Sequence, residues 1–184
     1  PIDLQNSQFI NIKSEDALNI INTDFLIHNT IFKNCSSDAL DTDFCNGSIV
    51  NSKFINSGND AIDLSGSDVL IEEVFINKSL DKGISIGENS IVSIKNTELT
   101  YCKIGIAVKD QSQSDLTKLA LKNCEYGITA YKKKPEFDSP SIVEHSITMM
   151  DVKNSYLIEQ KSSLSLDNKN IKPISNNVFE ILYE

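Results

Sequence analysis

Two copies of one phrase hold most of the side chains that could do chemistry. Asp38-Ala39-Leu40-Asp41 returns 22 residues later as Asp60-Ala61-Ile62-Asp63, with Asp43 close behind the first copy. Paired carboxylates can share acid and base work if a crowded or buried partner has its pKa raised. Carboxylates with nearby carbonyls also suit a hard cation: Ca²⁺ takes about six to eight oxygens at roughly 2.3–2.6 Å. Asp38, Asp41, Asp43, Asp60 and Asp63 are the metal candidates. Asp41, Asp60, Asp63 and Lys82 are the catalytic candidates. Two structural uses stand beside these: Lys82 as a counter-ion, and Asp38 and Asp60 as acceptors for turn amides under solvent screening.

The elements that must position these residues follow from the 22-residue step. Ala17, Ala39, Ala61, Gly83, Gly105 and Gly127 form one column of small residues. The next column, Leu18, Leu40, Ile62, Ile84, Ile106 and Ile128, is large and aliphatic. Two places on come Ile20, Thr42, Leu64, Ile86, Val108 and Ala130. Apolar residues at alternate positions mean strand, not helix. Each copy holds about three short strands, and one copy cannot bury its own inward face. Stacking does: each copy becomes one rung, and equal positions lie about 4.8 Å apart. The expected fold is an all-β, right-handed parallel β-helix of about seven to eight rungs. Leucine-rich repeats have a similar length but need a leucine spacing that is absent here.

Stacking lines up the aspartates. With Leu40 and Thr42 inward, Asp41 and Asp43 point out, and so do Ala39 and Ala61. Asn19, Asp41, Asp63 and Ser85 form one outward column. Asp16, Asp38, Asp60 and Lys82 form another at the turn entering the strand. Small outward residues beside them predict a shallow groove. Like charges on neighbouring strands repel, by roughly 3 kcal/mol at 5 Å and an effective dielectric of 20. Asn11, Asn34, Asn56 and Asn77 follow the third strand of successive copies and predict an Asn ladder.

The rungs are regular over residues 1–131. Residues 132–140 read as an inserted loop with three consecutive Lys, which could meet an acidic partner. Residues 141–184 read as the last rungs, displaced by about seven residues, with "NNVFEILYE" as a closing strand. The chain is one domain, expected to be part of a longer one. Its first rung has no cap, which predicts end-to-end or side-by-side self-association.

Composition narrows the partners. The first 75 residues carry 12 acidic side chains against 3 Lys, and the remainder carry 14 against 14. Such an acidic half speaks against nucleic acid and permits a cation, a basic protein or a neutral sugar. No apolar run spans a membrane, and no signal peptide is visible. Four Cys without a C-x-x-C pair, and only two His, argue against structural zinc. Cys102 and Cys124 lie one step apart, as a disulfide or as stacked free thiols.

The 22-residue rung, the phrases "DAIDLSGS" and "GIAVK", and the Asn after the third strand resemble the pectin-lyase-like group of right-handed parallel β-helix proteins. They are similar to β-helix regions of uncharacterised bacterial envelope-associated proteins. The resemblance implies an extracellular or envelope setting and a carbohydrate or protein partner. The expected role is a non-catalytic module that binds along its acidic outward face, with Ca²⁺ as the one cofactor considered. The alternatives are a polysaccharide lyase or hydrolase acting through Asp38–Asp63 with Lys82, and a structural spacer. Lyases of the group use Arg or Lys as base, and this chain has no Arg, leaving Lys82 or Lys109. Of the motifs of polygalacturonase-like hydrolases, only Asn22-Thr23-Asp24 is present. Tyr131 and Tyr126 are the outward aromatics that could stack on sugar.

Overall fold

A computed structural model describes residues 1–167, 169–173 and 175–184. The chain coils through about eight turns, and its strands form three sheets along the coil, parallel throughout except that Lys169–Ile171 pairs antiparallel with Ser163–Leu166 at the end of one of them. Sheet A has nine strands, from Ile2–Gln5 to Lys169–Ile171, and sheets B and C have seven each. Sheet C runs from Asp16–Ile21 to Asn154–Ile158 and carries the aspartates. Its register is the one the columns require: Leu18 pairs Leu40, Leu40 pairs Ile62, and Ile62 pairs Ile84.

Like stacks on like inside the coil. Phe9, Phe32 and Phe54 lie face to face with ring centroids 4.7 Å apart. Ile76, Leu99 and Leu121 continue that column, fully buried. The small column has a different cause from the one expected. Ala39 and Ala61 do not point outward; they are fully buried. A Cβ at Gly83 would stand 2.6 Å from Leu99 and 2.7 Å from the Gly105 carbonyl. One at Gly105 would stand 2.5 Å from Leu121 and 2.7 Å from the Gly127 carbonyl. The column lies in the tight corner where sheet B turns into sheet C, so side-chain size there is set by the core.

The corners need left-handed backbone. Among the described residues, 22 non-glycine residues have positive φ, and ten of them are Asn, whose short side chain tolerates that region. Asn34 donates its side-chain amide to Asn11 and Asn56 to Asn34, at 2.9 and 3.0 Å. The ladder ends there. Asn77 lies within a strand opposite Ile55, and Lys78 takes the left-handed corner that follows Asn56. A second column of corners starts Asn6, Asn29, Asn51, with Asn29 donating to Asn6 at 2.6 Å. Inside another corner, Ser67, Ser90 and Ser112 hydroxyls accept the backbone N–H of Cys45, Ser67 and Ser90. All four Cys are free and buried.

The C-terminal part departs from expectation in two ways. Tyr126 pairs Asn154, so the inserted loop displaces the next rung by six residues, not about seven. Val178–Tyr183 is also not a closing strand but a helix, α1, the one α-helix among the described residues. Val178 and Leu182, four apart, face one side and bury against Ile104, Ala107, Tyr131 and Leu157. That i, i+4 spacing is helical. α1 thus lies on the outer face of sheet C. It is too short to cross a membrane, and among the described residues no helix is long and apolar enough.

The corner packing yields a test. Gly105→Ala should lower the unfolding free energy by about 1–3 kcal/mol through overpacking against backbone and Leu121. Urea denaturation measures it; an unchanged midpoint would mean that the corner has room to spare.

Candidate functional site

Where α1 crosses sheet C it walls a cleft of about 370 Å³. The floor comes from successive rungs, with Asp60 and Asp63, then Lys82, then Lys109, then Tyr131; Phe179 and Tyr183 close it from α1. Two columns supply the floor. Asn19, Asp41, Asp63, Ser85, Ala107, Thr129 and Leu157 pair in register along sheet C. Beside them run Asp43, Ser65 and Gly87, and then Lys109 opposite Tyr131. Gly87 leaves room for the Lys109 stem: a Cβ there would sit 3.4 Å from Lys109 Cε.

Asp60 and Lys82 form the buried core of the charge network. Asp60 Oδ1 accepts the Lys82 backbone N–H at 2.8 Å, and Lys82 Nζ lies 3.4 Å from both Asp60 oxygens. Lys82 also pairs with Asp81, which accepts from the Tyr183 hydroxyl at 3.0 Å. Lys103 Nζ reaches Asp81 at 3.9 Å and stands 4.5 Å from the Tyr183 ring centroid. Burial works against the Lys82 charge, yet Asp60 and Asp81 hold its pKa well above the ordinary range. Lys82 thus stands as a counter-ion between two carboxylates. Burial pushes Asp60 up to about 7, with Lys82 opposing.

The remaining polar groups of the cleft are short of partners. Lys109 is 7 % exposed and forms no ion pair among the described residues. Burial lowers its pKa, and Asp63 opposes that. Tyr131 is fully buried and its hydroxyl makes no hydrogen bond; Asp63 Oδ1 and Ser85 Oγ are likewise unpartnered. A buried polar atom without a partner costs about 1–3 kcal/mol, and it calls for an explanation, such as a bound group.

The sequence candidates separate into two groups. Asp60, Asp63 and Lys82 line the cleft. Asp38, Asp41 and Asp43 lie on the N-terminal side of it. Asp38 Oδ1 accepts the Asp60 N–H at 2.8 Å and the Asn59 amide at 2.7 Å, and Asn19 donates to Asp41 at 3.0 Å. Among the described residues no three His, Cys, Asp or Glu side chains converge to hold a metal ion. Tyr131, expected as an exposed stacking platform, lies beneath α1 instead, because Phe179 and the Val178–Leu182 face cover it. The loop after it is held down through its backbone: Asp110 Oδ1 accepts the Lys133 and Lys134 N–H groups at 2.7 and 2.8 Å, and the Lys134 side chain pairs with Glu88. Sequence reasoning named Lys109 only as an alternative base for a lyase and did not name Tyr183. Counting 22 from Asp43 reaches Lys109 through Ser65 and Gly87, so that signal was present; nothing in the repeat pointed to Tyr183.

The aspartate row makes stability depend on pH. Burial, then Asp43 and Asp63, push Asp41 up to about 7. A carboxyl whose folded pKa exceeds its unfolded value binds its proton more tightly in the folded state. Its contribution is complete below about pH 4 and is lost as pH rises through about 7. Urea midpoints should therefore fall as pH rises from about 4 to about 7. Asp41→Asn should flatten part of that slope and add on the order of 1–2 kcal/mol at neutral pH, after allowance for solvent screening. A variant as pH-sensitive as the parent would remove Asp41 from the account.

Comparison with known proteins agrees with the fold. No curated protein sequence matches the chain. The profile of a family described as "Right handed beta helix region" matches residues 2–145. That span covers the aspartate rungs, Lys109 and Tyr131, and with the parallel three-sheet coil it places this chain in the right-handed β-helix family.

Proposed function

We propose that the chain is a non-catalytic carbohydrate-binding module of an extracellular or envelope protein, with its ligand in the cleft between sheet C and α1. The observation that carries this reading is what meets at one cleft: a buried Lys109 with no ion pair among the described residues, and two buried polar atoms without partners, the Tyr131 hydroxyl and Asp63 Oδ1. Together they offer donors and an acceptor, which is what sugar hydroxyls need. The ligand is a neutral sugar. Lys82 is already matched by Asp60 and Asp81, and Asp38, Asp41 and Asp43 crowd the approach and repel an acidic polymer.

A second reading is favoured by Lys109 alone. A buried Lys with a lowered pKa can act as a base, as a polysaccharide lyase requires. Of the two base candidates, Lys82 is held by two carboxylate partners, which favours Lys109 in this reading.

Native electrophoresis through gels containing neutral and acidic polysaccharides tests both readings. Retardation by a neutral polysaccharide is expected. Lys109→Met and Tyr131→Phe should each weaken it about tenfold, the value of one hydrogen bond to a buried group. Retardation only by acidic polymers, or unchanged retardation in both variants, would contradict the cleft as the site. Release of unsaturated or reducing ends, lost in Lys109→Met, would favour the lyase.

A further inference from the structure

We infer that the cleft takes the end of a glycan chain, and not a stretch from its middle; this rests on the carbohydrate reading above. The outer face of a β-helix sheet is a trough parallel to the coil axis, open at both ends unless something crosses it. Here the trough runs over Asn19, Asp41 and Asp63 and would continue over Ala107, Thr129 and Leu157. Those last three are 0, 0 and 7 % exposed. Ala107 and Leu157 lie under Val178 and Leu182 of α1. The trough therefore stops at the helix.

The other walls are fixed as well. Tyr183 is tied to Asp81, and Asn177, at the start of α1, donates to Glu180 at 2.6 Å. On the opposite edge, Asp110 anchors the loop that brings Lys133 to the cleft. The partnerless groups sit at this blind end. At about 370 Å³ the space is near the lower end of the roughly 300–1,000 Å³ of small-molecule sites.

The donor and acceptor pattern selects the same thing. Within a chain, a linking oxygen is an ether and can only accept. At a chain end the same position carries a hydroxyl, which both accepts and donates. Lys109 and Tyr131 can donate to it. Asp63 Oδ1 can only accept, so a hydroxyl at that position can donate to it where a linking ether cannot.

The test uses neutral hexasaccharides of α-glucan, β-glucan and β-mannan in three forms: free, methylated on the terminal non-reducing hydroxyl, and coupled to a bulky support through the reducing end. Calorimetry or surface binding on the whole chain gives the affinities. For a hexasaccharide that binds, one modification should weaken binding about tenfold or more while the other leaves it within about twofold. If the methylated end is the sensitive one, Asp63→Asn should shrink the difference between free and methylated forms, since the amide can donate to an ether. Circular dichroism confirms the fold of the variant. Equal binding of all three forms would overturn end recognition while leaving the carbohydrate reading intact. Binding of none would overturn both.

Discussion

The structure depends on one constraint: backbone hydrogen bonds between rungs hold residue i directly over its counterpart one turn later. A parallel ladder in register gives side chains no freedom to choose their neighbours. Whatever stands at one position meets its own kind, or a replacement that fits, about 4.8 Å along the axis. The Phe9–Phe32–Phe54 stack is the favourable case. The Gly83–Gly105–Gly127 corner is the restrictive one, where a single methyl would meet backbone. The aspartate row is the costly one.

Local chemistry offsets part of the cost of stacking like charges. Asp38 gives an oxygen to the Asp60 N–H, and Asp60 gives one to the Lys82 N–H, so each carboxylate satisfies the next rung's entering turn. Lys82 then ends the column with a positive charge, itself enclosed by Asp60 and Asp81. Asp41, in the neighbouring column, has only the Asn19 amide beside it and stays under strain from Asp43 and Asp63. The two structural uses of the aspartates considered from sequence thus operate together, in one column.

Columns were legible in the sequence because a 22-residue step converts directly into contact. Ile62 over Leu40, Asp63 over Asp41 and the whole β-helix follow from it. Three things did not follow. Side-chain direction at the sheet corner breaks strict alternation, so Ala39 and Ala61 were misread as outward. The left-handed corner is a backbone requirement that Lys78 and Tyr101 meet as well as Asn, so Asn77 was mistaken for a ladder member. The helix was missed because its partner is the outside of a sheet, and repeat arithmetic does not reach a segment outside the repeat. Val178 and Leu182 at helical spacing were the clue. With the helix hidden, Tyr131 looked exposed and the cleft could not be seen.

The account's central claim is that the cleft under α1 is the ligand site. Backbone amide resonances of the labelled chain, followed during titration with neutral oligosaccharides, test it most directly. The account predicts shifts concentrated at Asp63, Ser85, Lys109, Tyr131 and Val178–Tyr183, with sheets A and B silent. Shifts centred on the outer faces of sheets A or B, or on Asp38–Asp43 with α1 unaffected, would contradict it.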